Sequence, residues 1–177
     1  MQTGQSVMSR RAMKTRAAEI YREWSGRKRK EKLRRKRGEK LPPKDRVPPY
    51  DTATGYLKRV IYELVTDPAV SADGHARLKS IVESEPEAAS RAGRISQNPF
   101  FWGFVLVFGN HDDLPPADRS KFAEQLLYAS KHQVPARFLV GFLYQIGGHP
   151  RVLKQRSGSK VEGWEVVPKL TRRQAVS

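Results

Sequence analysis

The sequence predicts a mostly α-helical protein: a small domain of about five short helices, with two stacked helical hairpins as one arrangement of them, between a basic, partly helical N-terminal arm and a basic C-terminal tail. Three observations predict it. Apolar residues recur three to four apart through the middle of the chain. Proline stands where helices start and glycine where they stop. Charge is spread unevenly: the 177 residues carry a net charge of +16, but the middle carries almost none of it. Residues 1–50 hold 17 Lys or Arg against 5 Asp or Glu, residues 51–147 hold 10 against 11, and residues 148–177 hold 7 against 2. The expected division is therefore 1–50, a basic arm with a Pro-rich linker; 51–148, the helical domain; and 149–177, a basic tail.

Taking the elements in order, Ser9 is placed to cap a helix running to about Gly26, whose apolar stripe is Met13, Ala17, Ile20, Tyr21 and Trp24. From Arg27 to Arg37 there is a single apolar residue, Leu33. Such a run repels itself and is expected to fray until an anion neutralises it. Leu41-Pro42-Pro43 through Val47-Pro48-Pro49-Tyr50 reads as an extended spacer. Thr54 then caps a helix with Tyr56, Leu57, Val60, Ile61, Leu64 and Val65 on one face, stopped at Asp67-Pro68. A second helix over about 72–84 presents Leu78, Ile81 and Val82. A third begins at Asn98-Pro99 and is apolar all round from Phe100 to Phe108; its aromatic and β-branched content leaves strand as an alternative. A fourth follows Pro115-Pro116 with Phe122, Leu126 and Leu127 inward, and a fifth follows Pro135 with Phe138, Leu139, Phe142, Leu143 and Ile146 inward. Residues 100–111 and 138–149 echo each other at an offset of 38, with five identical positions, as in short stacked helical repeats.

Composition also excludes classes of function. The chain has no cysteine, so disulfides, thiolate zinc sites and cysteine nucleophiles are absent. No stretch of eighteen apolar residues occurs. His75, His111, His132 and His149 show no paired-ligand spacing, and neither GxxxxGK[ST] nor GxGxxG is present. Glu83, Glu85 and Glu87 cluster on what reads as a solvated helix end. No catalytic residue, metal ligand set or cofactor is expected.

The positive reading of function rests on the arm. Arg10, Arg11, Lys14, Arg16, Arg22, Arg27, Lys28, Arg29, Lys30, Lys32, Arg34, Arg35, Lys36 and Arg37 supply fourteen cations within 28 positions, a density suited to neutralising successive phosphates. Tyr21 and Trp24 lie among them as candidate base stackers. Arg151, Lys154 and Arg156 form a candidate second contact in the tail. The stretch loosely resembles the arginine-rich peptide arms that fold onto RNA hairpins, in which a short basic helix ends at an aromatic stacker. That resemblance implies RNA slightly ahead of DNA. The expected protein is a regulatory or packaging nucleic-acid-binding protein inside the cell, cytoplasmic or at the nucleoid or nucleus, with organelle import as an alternative. The helical domain is expected to serve as a mount and as a surface for a protein partner or self-association.

Two other readings compete. Polybasic segments also bind anionic lipid, with Met13, Ile20, Tyr21 and Trp24 as an interfacial anchor. Gly109-Asn110-His111-Asp112, after an apolar run, resembles one metal-binding motif of the calcineurin-like metallophosphoesterases, which implies Asn110 and His111 as metal ligands. The match covers four residues, and the Asp-x-His and Gly-Asp motifs of that family do not occur before residue 109.

Overall fold

The hydrophobic segment at 99–108 organises the molecule. A computed structural model describes residues 7–39, 52–84, 97–109 and 111–146. These residues form seven α-helices: α1 Arg10–Lys36, α2 Ala53–Thr66, α3 Pro68–Ser71, α4 Ala76–Glu83, α5 Pro99–Phe108, α6 Pro116–Lys131 and α7 Leu139–Gln145, the last preceded by a 3-10 turn at Ala136–Phe138. No strand occurs among the described residues. Being apolar on every side, α5 has no surface to offer water, and α1, α2, α4 and α6 pack around it. Asn98 starts it, its side chain accepting from Phe100 N at 3.0 Å, with Pro99 in the first turn. The strand alternative is thereby settled as helix. At Gly103 a Cβ would stand 2.9 Å from Val65 Cγ2 and 3.1 Å from Ile61 Cγ2, so α2 crosses α5 where only glycine admits it.

The residues expected to form a separate arm contribute to this same core. Met13 and Ile20 are fully buried, and Ala17 and Trp24 are 3% exposed. Trp24 meets Phe108 edge-to-face at 4.8 Å between centroids. At its start α1 is laced to α3 and α4: Met8 N donates to Ala69 O at 2.8 Å, Arg77 Nη1 to Met8 O at 3.2 Å, and the Arg10 guanidinium to Ser84 Oγ. Met13 and Ile20 each stabilise the fold by roughly 1.5–3 kcal/mol on burial.

Three local expectations need correction. First, α1 does not end near Gly26 but runs to Lys36. A helical glycine costs only about 1 kcal/mol, and the C-terminus is well closed. Gly38, at φ +71°, gives its N–H to Arg35 O at 3.1 Å, and Glu39 gives its own to Arg34 O at 3.0 Å. That is the Schellman pattern, with Arg34, Arg35 and Lys36 at the negative end of the helix dipole. Second, α2 is capped by Thr52, whose Oγ1 accepts from Gly55 N at 3.0 Å, which puts Thr54 inside the first turn. Third, the helix expected from 72 begins at Ala76, because Gly74 and His75 both take positive φ; His75 is held there by Nε2 donating to Val65 O at 2.9 Å. Leu127, expected inward on α6, is half-buried beside the buried Phe122 and Leu126. The linker at 41–50 and the tail from 149 lie outside the described residues.

Two buried tyrosines tie α2 to its neighbours. The Tyr56 hydroxyl donates to Glu23 of α1, and Tyr62 donates to Val134 O at 2.7 Å. Burial, helped at Tyr56 by the Glu23 carboxylate, pushes both phenols up to about 12. A phenol whose pKa rises on folding stabilises fully below its unfolded value of about 10, and that stability fades as pH climbs through the folded value. Absorbance at 295 nm should therefore show late-titrating tyrosines that ionise together with loss of helical circular dichroism between about pH 10 and 12. Tyr56→Phe and Tyr62→Phe should each remove one of them; ionisation of every tyrosine near pH 10 with helix intact would contradict this. Trp24→Ala should cost about 3–5 kcal/mol in urea unfolding, as for other large buried aromatics. A loss under about 0.5 kcal/mol would mean α1 is not part of the core.

Candidate nucleic-acid interface

Thirteen of the 27 residues of α1 are Lys or Arg, against three acids. Because Met13, Ala17, Ile20 and Trp24 occupy the inner stripe, the helical repeat turns the cations outward. Arg11, Arg22, Arg29 and Lys36 fall on the line opposite the stripe, over roughly 37 Å of helix at 1.5 Å per residue. All four are exposed, as are Arg10, Lys14, Arg16, Lys28, Lys30, Lys32, Arg34, Arg35 and Arg37; Arg27 is half-buried.

Some of these cations have partners. Arg16 pairs with Glu19 at 3.2 Å, and Arg34 and Arg37 share Glu39 at 3.4 and 3.9 Å. Arg27 lies over the Tyr56 ring at 4.1 Å. Lys28 lies over the Trp24 ring at 4.5 Å and donates to Asp113 O at 3.3 Å. Arg11, Arg22, Arg29, Lys30, Lys32, Arg35 and Lys36 form no ion pair among the described residues. An open cleft of about 410 Å³ at the start of α2 is walled by Arg27, Lys30, Arg34 and Arg37, with Glu31 and Glu39 beside them.

The two expected stackers are differently placed from what base stacking requires. Trp24 is buried against Phe108. Tyr21 is half-buried, its ring stacked on His111 at 4.0 Å and its hydroxyl donating to Asp113 Oδ2 at 2.5 Å. That hydrogen bond, with burial adding to it, raises the Tyr21 phenol above its ordinary value. Trp24 offers no open face, and His111 takes one face of Tyr21. Arg151, Lys154 and Arg156 lie outside the described residues, as does Asn110. His111 serves the Tyr21 contact, and no group of three potential metal ligands occurs among the described residues. His75 bonds Val65 O, and His132 packs beside Tyr128.

Sequence reasoning overlooked the residues that hold α1 in place. Glu31, the one acid between Arg27 and Arg37, reaches across to accept from Ala53 N at 2.6 Å, filling a donor at the start of α2. Its isolation within a basic run was the available signal. Arg119, 5% exposed, donates Nε to Leu114 O at 2.9 Å and Nη2 to His111 O at 2.7 Å. It thereby shapes the 111–114 loop on which Tyr21 and Lys28 rest; nothing in the sequence distinguishes it from a surface arginine.

Glu31→Ala should destabilise the protein by about 1–2 kcal/mol even though it removes no apolar contact, while raising the positive charge of the helix. Urea unfolding reads this; unchanged stability would mean the Glu31–Ala53 bond does not tie α1 to α2. No protein-family model matches the chain, and searches of curated proteins and of solved structures find no match to it.

Proposed function

We propose that this protein binds nucleic acid through the outward surface of α1, with the helical body acting as its mount. The observation that carries the reading is the set of seven exposed cations, Arg11 to Lys36, without an acidic partner among the described residues, on a helix fixed by its own buried stripe. Side chains held in this way are available to phosphates, and neutralising phosphates releases condensed counterions. A place inside the cell, where nucleic acid is found, belongs to the same proposal. The lipid reading loses its anchor, since Met13, Ile20 and Trp24 face the core. No helix among the described residues is long and apolar enough to cross a membrane.

If the seven cations each meet a phosphate, log affinity for duplex DNA falls against log salt with a slope of about −6, and for single strands of about −5. Fluorescence anisotropy of the full-length chain reads this directly. Replacing Arg22, Arg29 and Lys36 by Ala should flatten the slope by about 3 and leave thermal stability nearly unchanged, since all three are exposed. A slope near zero, or a triple variant that binds like the parent, would overturn the proposal.

A further inference from the structure

The far end of α1 differs from the rest of it. The last contacts with the body are Arg27 on the Tyr56 ring, Lys28 on Asp113 O and Glu31 on Ala53 N. Every residue from Lys32 to Glu39 is exposed, and the ion pairs there are local ones to Glu39. The helix thus continues for about a turn and a half beyond its support, closed by the Gly38 stop. At 100° per residue, Lys32, Arg34, Arg35, Lys36 and Arg37 surround the axis. A flat row of phosphates would engage only half of such a girdle. Two phosphate walls, one on each side, would engage all of it.

We infer that the projecting end of α1, residues 32–37, enters the major groove of duplex DNA as a preformed helix; this rests on the nucleic-acid reading above and narrows it. The dimensions agree, since an α-helix with side chains is about 10–12 Å across and the B-form major groove about 12 Å wide. The major groove of A-form RNA is deep and narrow and does not admit side chains for reading. Single strands are held on aromatic platforms, and the projecting end of α1 has no aromatic residue: Trp24 is buried in the core, and Tyr21 is three turns back, with one face on His111 and its hydroxyl on Asp113. Because the helix is already formed, insertion requires little ordering of the protein.

The test uses the full-length chain at fixed moderate salt with three probes of equal length: duplex DNA, duplex RNA and single-stranded DNA. Duplex DNA should bind at least about tenfold tighter than either of the others. Leu33, exposed and uncharged, permits a second arm. Leu33→Pro breaks the projecting helix while keeping every charge, and should weaken duplex binding about tenfold. Because its clash falls on the turn that holds Glu31, Glu31→Ala serves as the control for lost stability and should bind at least as tightly as the parent. Leu33→Ala should bind like the parent. Duplex DNA whose major groove is filled by glucosylated 5-hydroxymethylcytosine should bind as weakly as single strands. Equal affinity for all three probes, preference for duplex RNA, or a Leu33→Pro protein binding like the parent would overturn groove insertion and leave nucleic-acid binding standing. Failure to bind any of them would overturn both.

Discussion

Burial of Met13, Ala17, Ile20 and Trp24 against α5 is the constraint on which the molecule depends. A helix with thirteen cations in 27 residues works against itself. Like-charged neighbours three and four apart, such as Lys28 with Lys32 and Lys32 with Lys36, each cost roughly 0.2–0.5 kcal/mol. Helix propensity alone would not hold it in water. Two fully buried side chains on the inner stripe outweigh several of those repulsions, because each stabilises by roughly 1.5–3 kcal/mol. The apolar effect is also insensitive to where the cations sit, so the outer face is free to carry them.

Three acids serve as fastenings rather than as neutralisers. Glu23 takes the Tyr56 hydroxyl, Glu31 the Ala53 amide, and Asp113 the Tyr21 hydroxyl. Each ties α1 to the body through a hydrogen bond to an uncharged donor. The positive surface opposite the stripe is left uncompensated, while the helix beneath is fixed at its start by α3 and α4, along its middle by α2 and α5, and near Glu31 by the start of α2. Rigidity and charge are therefore separable properties here, residing on different faces of one helix.

Much of the fold was legible. The helical stripe on α2, the stop at Asp67-Pro68, the starts at Pro99 and Pro116, and the Ser9 cap all follow from spacing and cap chemistry, and the structure has them. The stripe on α1 was legible too: Met13, Ala17, Ile20 and Trp24 are buried, and Tyr21 is half-buried at its edge. Its docking was not. Four apolar positions on a strongly basic helix read equally well as an exposed amphipathic segment, and only the facing surface of α5 distinguishes the two. For the same reason Trp24 read as a base stacker when it is a core residue. The Gly38 stop was available in the sequence, as a glycine after a basic last turn, but the charge density of Arg27–Arg37 argued for fraying and overrode it. Helix and strand at 99–108 were indistinguishable by period, because a segment buried on every side has none. Glu31 acts through a partner 22 positions away, and only its isolation in a basic run marked it; Arg119 bonds the carbonyls of the loop just before it, and no local pattern marks it.

The central claim is that α1 is ordered and docked before any partner arrives. Hydrogen exchange of the free full-length protein, resolved by amide, tests it most directly. Amides from Ala17 to Trp24 should exchange only through global unfolding, with the same opening free energy as those of α5, and those from Arg29 to Lys36 should exchange faster than these yet slower than an unstructured chain. Exchange of the whole of 10–36 at unstructured rates, with α5 still protected, would contradict it.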